Sequence, residues 1–161
     1  MKKLNLLIVL GEGGHSAELL NLVNFLGNEF RYSYIVSKED NISINHIRLK
    51  GPAYRIHRPR GKQTKRIKAI FKFFGVFINS FKILIKVRPY AILSTGPAIA
   101  VPVSVIGKLL RIKIIFVETG SRVQKLSLTG RIMYRFADIF FIQWPQLKSK
   151  APKGIYAGRL I

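Results

Sequence analysis

A histidine that directly follows three glycines is the first feature of the sequence that could do chemistry. In the stretch LIVLGEGGHSAELL, an apolar run ends at Gly11, Gly13 and Gly14, and His15 and Ser16 come next. Glycines allow a tight turn in which backbone N–H groups approach a ligand closely, and the start of a following helix favours negative charge. We therefore expect a site for a phosphate or diphosphate, with Ser16 as the N-cap of the helix.

Two roles are open for His15. An imidazole can donate a hydrogen bond to a ligand oxygen or take a proton from a reacting group near neutral pH. Alternatively, the side chain only caps the helix or packs beside it. The loop is not a dinucleotide-binding G-x-G-x-x-G motif, because Gly11 and Gly13 fit but no third glycine follows at the required position. No phosphate-binding Walker lysine follows either, so we expect no nucleotide cofactor.

Two later loops carry residues of the same kind. Thr95, Gly96 and Pro97 lie between an apolar run and a helical pattern, which predicts a second backbone cradle of phosphate size. In FVETGSRV, Glu118 follows another apolar run, where a carboxylate can act as a base or hold hydroxyl groups. Arg122 can pair with a phosphate or with Glu118. A purely structural ion pair between Glu118 and Arg122 is the alternative.

The elements that must position these loops form an alternating pattern. Apolar runs predict strands at 4–10, 32–36, 53–57, 91–94, 113–117 and 139–142, with a last short strand in GIYAG. Helical spacing predicts helices at 16–26, after Pro97 and at 128–136. Alternation of this kind predicts an α/β fold, a Rossmann-like parallel sheet with helices on both faces. Ligands of such sheets bind beyond the carboxyl ends of the strands, where all three loops fall.

Composition supports one folded domain over residues 1–161. Apolar residues make up 48% of the chain, which excludes disorder by composition, and the length is sufficient for a substantial core. The absence of cysteine excludes disulfides and thiolate metal sites, and we expect no metal ion. The first residues imitate a signal peptide, but the apolar run is short and ends in glycines, so we interpret it as a buried first strand.

The charge of the chain is strongly positive and unevenly placed. The sequence contains 28 Lys and Arg against 7 Asp and Glu, a formal net charge of +21. Between Asp40 and Glu118 there are sixteen basic residues and no acidic one. Such a chain should be attracted to a polyanion: a nucleic acid, an anionic membrane surface or a phosphorylated substrate.

Residues 62–87, KQTKRIKAIFKFFGVFINSFKILIKV, form a basic amphipathic segment. Its apolar residues recur at steps of three and four, and its basic residues gather at both ends. The apolar centre is too short to span a bilayer, but it can lie in the membrane interface with its lysines near lipid phosphates. The alternative is a core helix with solvated lysines. The predicted membrane contacts are Lys65, Arg66, Phe71, Phe74, Phe77 and Phe81.

Four motifs occur in a familiar order: VLGEGGHSAELL, STGPAIAVPVSVIGKLL, FVETGSRVQKLSLTGRIMY and ADIFFIQWPQL. Together they resemble the acceptor-side, membrane-associated subunit of the split UDP-N-acetylglucosamine transferase of dolichol-oligosaccharide synthesis, and its prokaryotic relatives in capsule and exopolysaccharide synthesis. The resemblance covers nearly the whole chain. It implies the N-terminal half of a GT-B glycosyltransferase, similar to that of the transferase that completes lipid II.

The resemblance also implies partners and roles. The acceptor is a polyprenyl-diphosphate-linked sugar whose diphosphate faces the first glycine loop and the loop at 95–97. A separate donor-binding glycosyltransferase subunit completes a heterodimer, and the chain lies peripherally on the cytoplasmic face of the membrane. His15 or Glu118 assists deprotonation of the acceptor hydroxyl.

Two departures from the family pattern stand out. Glu12 brings a negative charge beside the diphosphate site, and the chain begins at the first strand where eukaryotic members have a transmembrane helix. Membrane contact is therefore expected from another segment. Two other functions stay open. One is a nucleic-acid-binding module, which the charge and aromatic content favour and the lack of a recognisable RNP, KH or helix-turn-helix pattern opposes. The other is a non-catalytic membrane anchor that activates its partner.

Overall fold

The computed structural model describes residues 3–11, 13–57 and 66–160, with backbone alone for 66–74. Within them, seven parallel strands form one sheet in the order β3-β2-β1-β4-β5-β6-β7. The strands are β1 (Asn5–Val9), β2 (Arg31–Ser37), β3 (Ala53–Ile56), β4 (Ala91–Ser94), β5 (Lys113–Val117), β6 (Ile139–Ile142) and β7 (Ile155–Tyr156). The helices are α1 (Gly14–Leu26), α2 (Arg66–Val87), α3 (Ala100–Leu109) and α4 (Leu128–Met133).

Helices cover both faces of the sheet, as predicted. On one face, α2, α3 and α4 pack against a core that includes Val76, Val103 and Met133. On the other face, α1 packs through Leu19 and Val23 against a second core. The central strands are buried on both sides, which explains why they appear in the sequence as unbroken apolar runs rather than alternating ones.

The order of the strands changes direction between β1 and β4, because β2 and β3 lie on one side of β1 and the later strands on the other. Leu6–Val9 of β1 pair with Ala91–Ser94 of β4 in parallel register. The two loops that follow these strands, at 11–14 and 95–97, therefore leave the sheet side by side. This switch point is where open parallel sheets bind ligands.

The described part of α2 has a core face and an exposed face. Val76, Ser80 and Leu84 are buried, and Phe77 is half-buried and packs against the same core. Phe81 lies on the exposed face. The packing of Phe77 on the core argues against its predicted membrane contact, whereas the exposure of Phe81 is compatible with one. Lys65 and the side chains of Arg66, Phe71 and Phe74 lie outside the described residues.

Candidate functional site

The first glycine loop leads directly into α1. Gly13 is the N-cap residue with a positive φ of 60°, and its carbonyl oxygen accepts hydrogen bonds from the N–H groups of Ser16 and Ala17. Among the described residues, no acceptor is found for the N–H groups of Gly14 and His15. These two donors are therefore available to a ligand oxygen at the positive end of the helix.

Close packing joins this loop to the loop after β4. A Cβ atom on Gly11 would lie 2.8 Å from the Cβ atom of Pro97, so only glycine fits this approach. Gly96 has a φ of 113°, in the region that favours glycine, and a Cβ atom there would lie 3.3 Å from Cε1 of His15. The glycines at 11 and 96 thus let the two loops and the imidazole ring meet.

Two hydrogen bonds connect His15 to Thr95. Nδ1 of His15 lies 2.9 Å from the carbonyl oxygen of Thr95, and the hydroxyl group of Thr95 donates to the carbonyl oxygen of His15 at 2.7 Å. Because a carbonyl oxygen only accepts, Nδ1 carries the proton, and Nε2 of the neutral ring keeps a lone pair. The half-exposed ring is therefore oriented between the loops. No side chain of the described residues caps α1, which argues against a capping role for His15, while a ring that only packs beside the helix stays the alternative.

Ser16 is not the N-cap that the sequence predicted. The helix begins two residues earlier, and the hydroxyl group of Ser16 donates to the carbonyl oxygen of Gly11. The same hydroxyl group accepts a hydrogen bond of 2.8 Å from Ser43, in the short 3₁₀ helix after β2. Ser16 is buried, with 3% of its surface exposed, and its hydrogen bond stabilises the glycine loop.

Glu118 is fully buried, with 0% of its surface exposed. Its carboxylate accepts hydrogen bonds from the backbone N–H groups of Thr119 at 3.1 Å and Ser127 at 3.0 Å. A Cβ atom on Gly130 would lie only 1.8 Å from its Oε2 atom, so the carboxylate packs directly on the start of α4. This burial argues against the predicted role of Glu118 as a base, because the side chain has no exposed surface with which to reach an acceptor.

The electrostatic surroundings of Glu118 agree with this structural role. Burial raises the pKa of the carboxyl group, while hydrogen bonds from Ser127 and Thr119 and the positive charge of Arg122 oppose that rise. Arg122 itself is exposed, and no ion pair joins it to Glu118 within the described parts of the chain. The predicted alternative of a structural ion pair is therefore wrong, and the guanidinium group is available to an outside anion.

Three residues near these loops were missed by sequence reasoning: the buried Glu18 and Gln143 and the half-buried Trp144. Glu18 faces the loop after β5 from α1, while Gln143 and Trp144 follow β6 and bind the same loop. An acidic residue inside the apolar pattern of α1 was a signal for the first. For the other two, the signal was their place at the carboxyl end of a strand.

Two classes of feature are absent from the described residues. No group of three or more His, Asp or Glu residues among them is close enough to hold a metal ion. In the same residues, no helix combines the length and the apolar character needed to cross a membrane.

Known protein families and curated proteins match almost the whole chain. The family described as "Oligosaccharide biosynthesis protein Alg14 like" matches residues 6–160. This chain belongs to the Alg14 family. The UDP-N-acetylglucosamine transferase subunit ALG14 of Mus musculus is 33% identical over 183 residues, covering 99% of this chain and 84% of the relative. The subunit alg14 of Schizosaccharomyces pombe is 30% identical, covering 96% of this chain and 82% of the relative.

Solved structures show the fold of the Alg14-family chain. Acinetobacter baumannii MurG matches 98% of it with a TM-score of 0.75 at 16% identity, and the chain spans 44% of the length of that protein. UDP-GlcNAc 2-epimerase from Methanocaldococcus jannaschii matches 96% with a TM-score of 0.72 at 15% identity, over 45% of its length. The predicted fold, the N-terminal half of a GT-B protein, is confirmed, as is the resemblance to this family.

Proposed function

We propose that this chain is the acceptor-binding and membrane-recruiting subunit of a two-component glycosyltransferase. The complex transfers a sugar from a UDP-sugar to a polyprenyl-diphosphate-linked acceptor. The observation that carries the proposal is the contact of His15 with Thr95, which fixes an imidazole ring beside two glycine loops at the switch point of the sheet. The curated relatives named as UDP-N-acetylglucosamine transferase subunits supply the reaction class.

The diphosphate of the acceptor binds at the start of α1. The N–H groups of Gly14 and His15 point to it, and the positive end of the helix compensates its charge. Thr95, Gly96 and Pro97 are buried against the imidazole ring and Gly11, so we assign this second loop the role of shaping the phosphate site by packing. Arg122 is exposed on the loop after β5 and adds a cation that pairs with a phosphate oxygen. Ser16 contributes by holding Gly11 in place rather than by contact.

His15 serves as the general base. The acceptor hydroxyl gives its proton to Nε2, its oxygen bonds to the anomeric carbon of the sugar, and the bond from that carbon to UDP breaks. Thr95 keeps the proton on Nδ1 and stabilises the imidazolium ion through its carbonyl oxygen. Glu118 acts on this site only through the loop that it holds.

The donor half is supplied by a partner chain. The curated relatives support this, because they are named as subunits of a transferase. A chain with a glycine-rich site for the nucleotide sugar would complete a GT-B enzyme. The anomeric carbon of that sugar would then face His15.

Membrane recruitment is assigned to α2. In its described part, Ile78, Phe81 and Ile85 form an exposed apolar stripe, and Lys82 and Lys86 flank it. Aromatic and aliphatic side chains in a setting of lysines favour the interface of an anionic membrane, such as the cytoplasmic leaflet. We therefore propose peripheral binding on that face, through α2 and the basic residues before it.

The test is reconstitution. The chain is purified alone and with its donor-half partner, and each preparation receives UDP-N-acetylglucosamine and a polyprenyl-diphosphate-linked N-acetylglucosamine in mixed micelles. We expect product only from the pair. Efficient transfer by this chain alone would contradict the split enzyme. Full activity of the pair with His15→Ala would instead favour a non-catalytic anchor.

A further inference from the structure

Glu18 is a buried carboxylate to which the mechanism above assigns no role. It lies on α1 one turn after His15, and 5% of its surface is exposed. Oε1 accepts hydrogen bonds from the hydroxyl group of Thr119 at 3.0 Å and the N–H group of Gly120 at 3.1 Å. Oε2 accepts one from the side-chain amide of Gln143 at 3.3 Å.

The partners of Glu18 are unusual for a buried acid. All three are neutral hydrogen-bond donors, and no basic side chain of the described residues forms an ion pair with it. Burial of a carboxylate costs free energy unless hydrogen bonds compensate it. The three donors share this one carboxylate, so the loss of any of them weakens the whole network. Replacing the carboxylate removes the shared acceptor of all three.

These contacts connect α1 to two loops at the carboxyl ends of the strands. Thr119 and Gly120 begin the loop after β5, and Gln143 follows β6. Gln143 also donates to the carbonyl oxygen of Glu118 at 3.0 Å, and Trp144 donates to that of Gly120 at 2.6 Å. The start of the loop is thus held from α1, from β5 and from β6.

The far part of the same loop is held through this start, because the backbone N–H group of Arg122 donates to the carbonyl oxygen of Thr119 at 3.1 Å. Residues 121–125 are exposed, and they include Arg122 and Lys125. Their position relative to the glycine loop depends on how the buried start of the loop is fixed. Among the described side chains, Glu18 is the one on α1 that bonds to this start, and α1 also carries His15.

We propose that Glu18 is a positioning residue, which orients the loop after β5 against α1 so that Arg122 meets the acceptor phosphate. Glu18 itself does not touch the acceptor. The kinetic consequence rests on the proposed function, whereas the ordering of the loop does not.

The first test is kinetic and uses the complex with its partner. Glu18→Ala should raise the KM for the acceptor substrate about tenfold, because it removes the carboxylate that accepts hydrogen bonds from the loop. The variant should leave kcat and the KM for the donor nearly unchanged. Glu18→Gln keeps an oxygen that accepts from Thr119 and Gly120, and only its NH₂ group faces another donor, the amide of Gln143. This variant should therefore recover most of the affinity for the acceptor substrate. Glu29→Ala removes an exposed acid beyond the end of α1 and should change nothing.

A double-mutant cycle separates positioning from a general loss of structure. If Glu18 acts through Arg122, the variant Glu18→Ala with Arg122→Ala should have the acceptor KM of Arg122→Ala alone. An acceptor KM of the double variant that equals the product of the two single-variant increases would overturn the proposal. So would an unchanged acceptor KM in Glu18→Ala while the wild-type pair transfers sugar. An inactive wild-type pair would contradict the proposed function instead.

Hydrogen exchange tests the ordering without activity. The amides of Gly120 and Ser121 should exchange at least several-fold faster in Glu18→Ala, with Glu18→Gln in between and the strands unchanged. Equal exchange in all three proteins would overturn the proposal. If Glu18→Ala does not fold, the comparison of Glu18→Gln with wild type decides on its own, because Gln143 still loses its hydrogen bond to residue 18 and keeps only the one to the carbonyl oxygen of Glu118.

Discussion

The two hydrogen bonds between His15 and Thr95 determine which ring nitrogen is available for chemistry. Nδ1 donates to a carbonyl oxygen, so the lone pair of the neutral ring is on Nε2, which can accept a proton. A role as a base therefore requires Nε2, whereas a purely structural role requires only the hydrogen bond of Nδ1. Asparagine can imitate the Nδ1 position with its amide, but it has nothing in place of Nε2.

Replacement of His15 exploits this difference. In the reconstituted complex, His15→Ala and His15→Asn should both lower kcat by about 10²–10⁴, the usual contribution of a general base. His15→Asn should keep a thermal midpoint near that of wild type, because the contact with Thr95 survives. His57→Ala, on an exposed histidine after β3, is the control. Recovery of kcat in His15→Asn would reject the base role.

The buried carboxyl group of Glu118 predicts a pH dependence of stability. Burial raises its pKa in the folded state, so the folded protein holds this proton to a higher pH than the unfolded chain does. Its contribution to the free energy of unfolding is therefore largest below the ordinary pKa and is lost as pH rises through the raised one.

Comparison with Glu118→Gln isolates that contribution. The free energy of unfolding of wild type minus that of the variant should decrease as pH rises from below about 4.5, the ordinary range of a glutamate, and then level off. Urea denaturation across a pH series measures it, and groups common to both proteins cancel. A difference that grows with pH would contradict the direction of the shift.

Sequence reasoning located the residues of this site better than it assigned their roles. The glycines, His15 and Thr95 follow strands, and parallel strands end at one edge, so their proximity could be predicted. Nothing in the sequence distinguishes a carboxylate that faces solvent from one that accepts N–H groups of its own loop, which is why Glu118 was misassigned. Ser16 was misassigned because Gly13 needs no side chain to begin α1.

At the scale of elements, α2 shows how far periodicity alone can go. The apolar steps correctly indicated a helix, and most strands were predicted within one residue, because continuous burial leaves a continuous apolar run. The apolar pattern of α2 is wider than one face, so it could not decide between core and exterior. Packing decides it: Phe77 packs on the core and Phe81 is 49% exposed.

The exposed stripe of α2 can be tested by substitution. Phe81→Ser with Ile85→Ser should reduce binding to anionic vesicles at least tenfold, since each apolar side chain that inserts is worth about 1.5–3 kcal/mol. Stability should change little, because both side chains are exposed. Flotation and thermal melting measure the two effects.

Matched variants make this result specific. Phe25 is 83% exposed on α1, on the other face of the sheet, so Phe25→Ser should leave vesicle binding intact. Leu84→Ala removes a buried side chain of α2 and should cost about 2–5 kcal/mol of stability. Unchanged flotation of the double variant would exclude the stripe as a membrane contact.

At the scale of the whole molecule, the net charge of +21 attracts any polyanion. Charge alone therefore does not distinguish a membrane protein from a nucleic-acid-binding module. The exposed apolar stripe on α2 does, because insertion into lipid contributes free energy that salt does not screen. Binding to an oligonucleotide is dominated by release of counterions and weakens steeply with salt.

A salt series compares the two partners directly. At about 0.05 M salt the chain should bind both anionic vesicles and a single-stranded oligonucleotide, since electrostatic attraction suffices for each. At about 0.2 M, where the screening length falls below 10 Å, the affinity for the oligonucleotide should fall by a factor of about 10³ or more. Much of the vesicle binding should persist. In the variant with Phe81→Ser and Ile85→Ser, the two salt dependences should become similar, because only charge then holds the chain to lipid. Oligonucleotide binding that outlasts vesicle binding at high salt would favour the nucleic-acid-binding module over the membrane-recruited transferase subunit.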